Sequence, residues 1–303
     1  MTYREFSFPS TGGRAEIRVS CFEPEGEIRA VVLLAHGMKE HIGRYHEFAA
    51  WLAEKGFAVW GHDMLGHGRS AADSSELGYF APRKGWEWLL RDQYAMVGYA
   101  REAFPGKQVF LIAHSMSSFI ARRLITLYPG ALSGVILSGT ADPSYAIAHI
   151  GKRLAQLLCL CRDGHYRSRL LELLIFGRGG PERWMSSCPE TLKAYEEDPL
   201  CGFLFTASGY ADFFRLLEDL ALKKGRRNIP AGLPVLLASG MQDPIGQQSR
   251  GPLRVYNRFK AWGLKDVDLF FYKDDLHDIL GEADRDEVRL DMLLWLERHL
   301  TKD

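Results

Sequence analysis

The chain has 303 residues, a formal net charge of zero and 47% hydrophobic residues. That is enough apolar material for one large core, or a core with an insertion, and the charge balance gives no electrostatic reason to expect nucleic acid. Its five cysteines (Cys21, Cys159, Cys161, Cys188, Cys201) are scattered without a C-x-x-C pair. Zinc and a disulfide framework are therefore disfavoured, and free buried thiols in a reducing cytosol are expected.

The opening MTYREFSFPSTGG carries no apolar signal core, and no apolar run approaches membrane-spanning length. A soluble cytoplasmic protein is expected. REFSF and AEIRVSCFEP alternate like half-buried strands, and AVVLLAHG (Ala30 to Gly37) is apolar enough for a strand covered on both faces. Tyr45, Phe48, Ala49 and Leu52 follow at helical spacing, with Gly56 as a stop. GFAVWGHD is a further strand, and Trp86, Leu89, Leu90, Tyr94 and Val97 mark a helix. KQVFLIAH is a third buried strand; Phe119, Ile120, Leu124 and Leu127 mark the helix after it, ended by Pro129. LSGVILSG (Leu132 to Gly139) is a fourth. Strands alternating with helices imply a mostly parallel sheet flanked by helices. The alternation lapses over 141–230, where Ile147, Ile150, Leu154, Leu157 and Cys161 share one helix face and Tyr210, Phe213, Phe214, Leu217 and Leu220 another. GLPVLLASG and VDLFFY resume the strand pattern, and a last helix passes through Val288, Met292, Leu296 and Leu300. The expected organisation is an α/β core in two parts, 1–140 and 231–303, with a helical cap inserted at 141–230 above the strand ends.

Within VFLIAHSMSSFIARRL, Ser115 stands where the third buried strand meets its helix. A serine hydroxyl needs a base and an exposed position to act as a nucleophile. A sharp strand-to-helix turn exposes it and aims the next residue's N–H at the reacting carbonyl oxygen. Such a G-x-S-x-G turn requires small residues on both sides. Here they are Ala113 and Ser117, and Ser117 reads as tolerated bulk that glycine would relieve. In the α/β-hydrolase fold the partners follow in the order Asp or Glu, then His, in loops after late strands. Asp243 follows GLPVLLASG in the turn GMQDP, and His277 follows VDLFFY in KDDLHDIL. Asp142, after LSGVILSGTA, is the rival acid. His277 would act as general base and acid, with Asp243 holding its tautomer. The oxyanion donors would be the backbone N–H of Met116 and that of Met38, with Gly37 allowing the sharp exit from its strand. His36 reads as a loop brace.

HGMKEHIGRYHEFAAWLAEKGFAVWGHDMLGHGRS resembles the HGxxEHxxRY…DxxGHGxS signature of bacterial monoacylglycerol lipases and lysophospholipases. These belong to the α/β-hydrolase superfamily, in its serine aminopeptidase S33-like branch. AHSMSS is similar to the family's GHSMGS, DPLCGF to a segment of its cap, and SGMQDP and LHDIL to its acid and histidine loops. The resemblance covers nearly the whole chain. It implies Ser115, Asp243 and His277 as the triad and Met38 and Met116 as oxyanion donors. Lys39 departs from it, standing where lipases often carry glycine, near the expected pocket mouth. Asp63, Gly66, His67, Gly68 and Ser70 are expected to brace a loop, and Glu40 and Arg44 to tie down the oxyanion loop.

The expected activity is hydrolysis of acyl esters, monoacylglycerols or lysophospholipids above all, with no metal and no cofactor. An acyl thioesterase or small-ester carboxylesterase uses the same groups. A non-catalytic ligand-binding receptor on this scaffold would typically have lost a triad member. Leu157, Leu158, Phe203, Phe205, Phe213 and Phe214 are candidates for an acyl-chain slot under the cap. The residues leave open whether the cap touches a membrane surface or a second copy, and the oligomeric state is unknown.

Overall fold

The computed structural model describes residues 1–222 and 228–301. The strands are β1 (Thr2–Pro9), β2 (Glu16–Glu23), β3 (Ala30–Ala35), β4 (Phe57–His62), β5 (Val109–His114), β6 (Gly134–Ser138), β7 (Val235–Gly240) and β8 (Val267–Tyr272). They form one sheet in the order β1-β2-β4-β3-β5-β6-β7-β8. The first two junctions, β1/β2 and β2/β4, are antiparallel, and every later neighbour pair is parallel.

The unbroken apolar runs of β3 to β7 follow from this order, since each strand is buried on both faces. Alternate residues serve opposite sides. Val31, Leu33, Leu111, Val135 and Leu237 pack beneath α2 (Gly85–Ala103), α3 (Met116–Leu127) and α8 (Arg250–Ala261). Val32, Leu34, Ile112, Ile136 and Leu236 pack beneath α1 (His46–Glu54) and α9 (Arg285–Arg298). Helix α1 ends as expected at Gly56, whose φ of 90° is open to glycine without penalty. Helix α8 was not anticipated. Its buried Pro252, Val255 and Phe259 have helical spacing, but Arg250, Arg254 and Arg258 dilute the apolar signal.

Between β6 and β7 lie α4 (Tyr145–Cys161), α5 (Arg169–Phe176), α6 (Pro189–Glu197) and α7 (Ala207–Ala221). Residues 223–227 of the expected insertion lie outside the described ones. Helix α7 packs against α2, α3 and α4, so its Phe213 and Phe214 join the main core. Helix α4 corrects a natural inference from its pattern. It turns its small residues Ala148, Gly151 and Ala155 inward, and a Cβ on Gly151 would come within 2.6 Å of the Phe214 ring. Its apolar stripe, with Ile147 62% and Ile150 64% exposed, faces out. The five cysteines are free thiols, but two are not buried: Cys159 is half-buried and Cys161 exposed.

Candidate active site

Strands β3, β5, β7 and β8 run parallel, so the loops after them open at one edge of the sheet. That topology brings together residues far apart in sequence. Ser115 sits between β5 and α3 with φ 51° and ψ −117°, a backbone conformation that L-residues rarely adopt. His277 Nε2 lies 2.7 Å from Ser115 Oγ, and His277 Nδ1 lies 2.8 Å from Asp243 Oδ2. Asp243 Oδ1 accepts the Ile245 N–H at 2.8 Å, which fixes the carboxylate in its turn. Asp243 and His277 are both buried. Burial opposes a charge on His277, but the Asp243 carboxylate and its hydrogen bond outweigh it, and the imidazole pKa is raised above 6.5.

The rival acid is elsewhere. Asp142 is held by Arg254 and Arg258 of α8, at 2.6 Å from Arg258 Nη1. Asp278, next to His277 in the chain, accepts instead from Arg44 Nη2 at 2.7 Å. His114 packs with its ring centroid 4.9 Å from that of His277. Burial, then the neighbouring His277, push its pKa down to about 4.

Met116 is the first residue of α3, so its N–H has no intrahelical acceptor. Met38 follows β3 in the loop facing it. Gly37 N–H donates to Glu40 Oε1, and the same oxygen accepts from Tyr45 Oη at 2.8 Å. Arg44 pairs with Glu40 Oε2. Burial works against the Glu40 charge, but the Arg44 guanidinium outweighs it and holds the carboxyl below the usual carboxylate range. The left-handed residue of this loop is Lys39, with φ 64°, and not Gly37 as expected. Gly37 is required for space instead: a Cβ there would lie 2.7 Å from Glu40 Oε1 and 3.0 Å from Ser115 Cβ. Ser117 is likewise more than tolerated bulk. Its hydroxyl donates to the His36 carbonyl and contacts Met64 Sδ at 3.3 Å, tying α3 to the end of β3.

The remaining signature residues brace, as expected. Asp63 accepts the N–H groups of Ile42 and Arg69, each at 2.8 Å, and Ser70 Oγ donates to the Asp63 carbonyl. A Cβ on Gly68 would collide with the Asp63 carboxylate. His36 Nε2 accepts the Met64 N–H at 3.0 Å. The His67 ring packs among Phe80, Phe203 and Phe205.

The cavity at Ser115 is small, about 10 Å³, and Phe176, Trp184, Met185 and Tyr195 stand over it. Trp184 and Met185 are fixed there because their carbonyls accept the N–H groups of His277 and Asp278, at 3.1 and 2.7 Å. The six residues expected to line an acyl slot are not among its walls. Leu157 is 54% exposed on α4. Leu158 and Phe203 are half-buried against the core, and Phe205, Phe213 and Phe214 lie within it. Sequence reasoning missed Phe176, Trp184, Met185 and Tyr195 because no strand or motif signal marks an irregular insertion. Their aromatic or apolar character was the available clue.

Among the described residues, one group has metal-ligand spacing: His41, Asp198 and Cys201. The groups engage each other instead. His41 Nε2 lies 2.7 Å from Asp198 Oδ2, its Nδ1 accepts the Gly43 N–H, and burial pushes the Cys201 thiol pKa up, away from the thiolate.

A family model described as serine aminopeptidase, S33, matches residues 26–284. A monoacylglycerol lipase of Mycolicibacterium smegmatis is 28% identical over 300 residues, 99% of each chain. The monoglyceride lipase of Homo sapiens is 33% identical over 116 residues, 38% of this chain and 36% of that one. A thermostable carboxyl esterase from Bacillus coagulans, solved in complex with glycerol, has a TM-score of 0.90 at 26% identity, covering 99% of this chain and 100% of that one.

Proposed function

This chain belongs to the serine aminopeptidase S33 family of α/β-hydrolases, and we propose that it hydrolyses monoacyl esters through a Ser115–His277–Asp243 triad. The observation that carries this reading is the continuous hydrogen-bonded chain from Ser115 Oγ through His277 to Asp243. The Ser115 oxygen attacks the ester carbonyl while its proton passes to His277 Nε2. The carbonyl oxygen becomes an oxyanion held by the N–H groups of Met38 and Met116. The C–O bond to the alcohol breaks, and His277 returns the proton to the departing oxygen. Water then repeats the sequence on the acyl-enzyme, releasing the acid and restoring Ser115 Oγ–H. Asp243 keeps the Nδ1 proton in place and stabilises the transient imidazolium. Protein groups and water suffice for every step.

The relatives named monoacylglycerol lipase favour a lipid substrate with one acyl chain. The insertion at 141–230 acts in this reading as a cap, since Trp184 and Met185 roof the serine. A contact with a lipid surface fits its outer face. Leu160 of α4 is 85% exposed and Leu170 of α5 54%, alongside Ile147 and Ile150. Large apolar side chains exposed on the same insertion are the kind of feature that interaction surfaces present. Among the described residues no helix is long and apolar enough to cross a membrane, so such contact would be peripheral. The tight cavity of about 10 Å³ favours a second reading, a carboxylesterase of short acyl chains.

The test is covalent labelling by a fluorophosphonate with kcat/KM measured across p-nitrophenyl esters of rising chain length, then monoacyl and triacyl glycerols. Wild type should be labelled at Ser115 and prefer medium or long single chains. Ser115→Ala should escape labelling and lose about 10⁶ in kcat. Ester turnover within tenfold of wild type in that variant refutes the assignment, and a strict preference for acetyl esters selects the second reading.

A further inference from the structure

Beside the small cavity at Ser115 lies a larger one of about 400 Å³. Phe176, Trp184 and Tyr195 border both and form the partition between them. Phe176 and Trp184 pack with ring centroids 4.5 Å apart. The outer cavity mixes apolar walls with charge: Lys39, Glu172 and a second carboxylate, Glu196, line it beside Leu173 and the aromatic rings, with Gly177, Gly179 and Gly180 at its edge.

Lys39 is unusual on three counts. It is the residue directly after Met38, the assigned oxyanion donor. It holds a left-handed backbone conformation that glycine would adopt without strain. Its side chain is 7% exposed, with the ammonium paired to Glu172 of α5 and 5.2 Å from the centre of the Phe176 ring. Burying an ammonium is expensive, and the carboxylate that compensates it does little more than break even. Fold stability therefore gives no reason to place a strained, buried lysine at the mouth of the site. Glu172 is the looser partner, at 24% exposure against 7%, and is the member of the pair with access to water.

Building on the assignment of Ser115 as nucleophile, we propose that Lys39 is a specificity-determining residue that binds a phosphate group on the alcohol portion of the ester, displacing Glu172. The acyl carbonyl sits at the Met38 and Met116 N–H groups, and the alcohol portion passes the edge of the Phe176–Trp184 partition into the outer cavity, toward its lysine. A phosphate a few bonds from the ester oxygen meets the Lys39 ammonium, which stands on the next residue of the same loop. The exchange replaces one anion by another, so Lys39 stays paired and charge-assisted hydrogen bonding continues. With a neutral glycerol portion the Lys39–Glu172 pair remains closed and holds α5 across the entrance.

The experiment compares kcat/KM for 1-decanoylglycerol and 1-decanoylglycerol 3-phosphate, both below their micellar concentrations. Wild type should favour the phosphate at least tenfold. Lys39→Met should lower the phosphate-to-neutral ratio by 10- to 100-fold, and Lys39→Arg should restore most of it. Glu172→Gln should raise the ratio, because the competing internal anion is gone. An unchanged ratio in Lys39→Met, or a wild type that favours the neutral ester, overturns the proposal. Fluorophosphonate labelling of Ser115 runs beside each assay. Labelled enzyme with no charge preference defeats the role of Lys39 alone, whereas unlabelled wild-type enzyme defeats the nucleophile assignment.

Discussion

At the scale of single residues, the site turns on where the His277 proton sits. In the proposed mechanism, buried Asp243 accepts from Nδ1 and leaves Nε2 to take the Ser115 proton. Asp243→Asn keeps the shape but presents an amide, so the ring settles in the wrong tautomer, and kcat should fall about 10⁴-fold. Asp142→Asn should be mild in its effect on kcat, since that carboxylate serves Arg254 and Arg258. The same pair sets the pH profile. The base must be neutral, and its pKa is raised in the folded protein, so activity is lost as pH falls through that raised value. The acid limb of kcat/KM should lie above 6.5 in wild type. In Asp243→Asn the largest influence opposing burial is gone, and only the weaker pull of Asp278 and Glu40 remains, so the limb should move to lower pH. An acid limb that stays in place would detach His277 from Asp243.

At the scale of elements, the question is what keeps the loop after β3 facing the turn before α3. Among the hydrogen bonds that hold it, Glu40 receives the Gly37 N–H, and Ser117 of α3 donates to the carbonyl of His36. Both side chains are buried, so losing either bond leaves a buried polar group unsatisfied, at about 1–3 kcal/mol. Ser117→Gly relieves bulk at the turn but also removes this bond and places glycine in the first turn of a helix. It should lower the melting temperature by several degrees and reduce kcat/KM several-fold as the Met38 N–H loses its fixed position. Wild-type activity and stability in this variant would return Ser117 to the status of tolerated bulk. Glu40 is fixed in turn by Arg44, which also holds Asp278 beside His277. One half-buried arginine thus couples the loop after β3 to the loop that carries His277.

At the scale of the whole molecule, the insertion faces two ways. Its inner side is rooted in the core by α7 and closes over Ser115 through Trp184 and Met185. Its outer side exposes Ile147, Ile150, Leu157 and Leu160 on α4 and Leu170, Leu173 and Leu174 on α5. If this face meets lipid, Ile150→Glu together with Leu160→Glu should abolish co-sedimentation with phosphatidylcholine vesicles. Hydrolysis of a water-dispersed p-nitrophenyl ester should remain at wild-type levels. Vesicle binding that survives the double change, with a shift in oligomeric state by light scattering, would assign the face to a second copy of the chain instead.

The sequence by itself determined the core and the positions of the proposed reacting groups. Strands buried on both faces leave continuous apolar runs such as AVVLLAHG and VFLIAH, and a parallel sheet puts whatever follows those runs at one edge. Ser115, Asp243 and His277 could therefore be read in order, each directly after a strand. Tertiary structure decided what local pattern cannot encode. The choice between Asp243 and Asp142 depends on which loop reaches His277 and on arginines of a helix, α8, too rich in charge to be read. The apolar stripe of α4 predicted a buried face, yet the small residues on the other side pack more closely against α7, so the stripe points outward. The bond from Ser117 to His36 joins positions 81 apart. The walls over Ser115 come from Phe176, Trp184, Met185 and Tyr195, in segments without periodicity. Lys39 was visible as a departure from the family pattern. Its burial, its strain and its partner Glu172, 133 positions away, exist only once α5 is laid across the loop after β3.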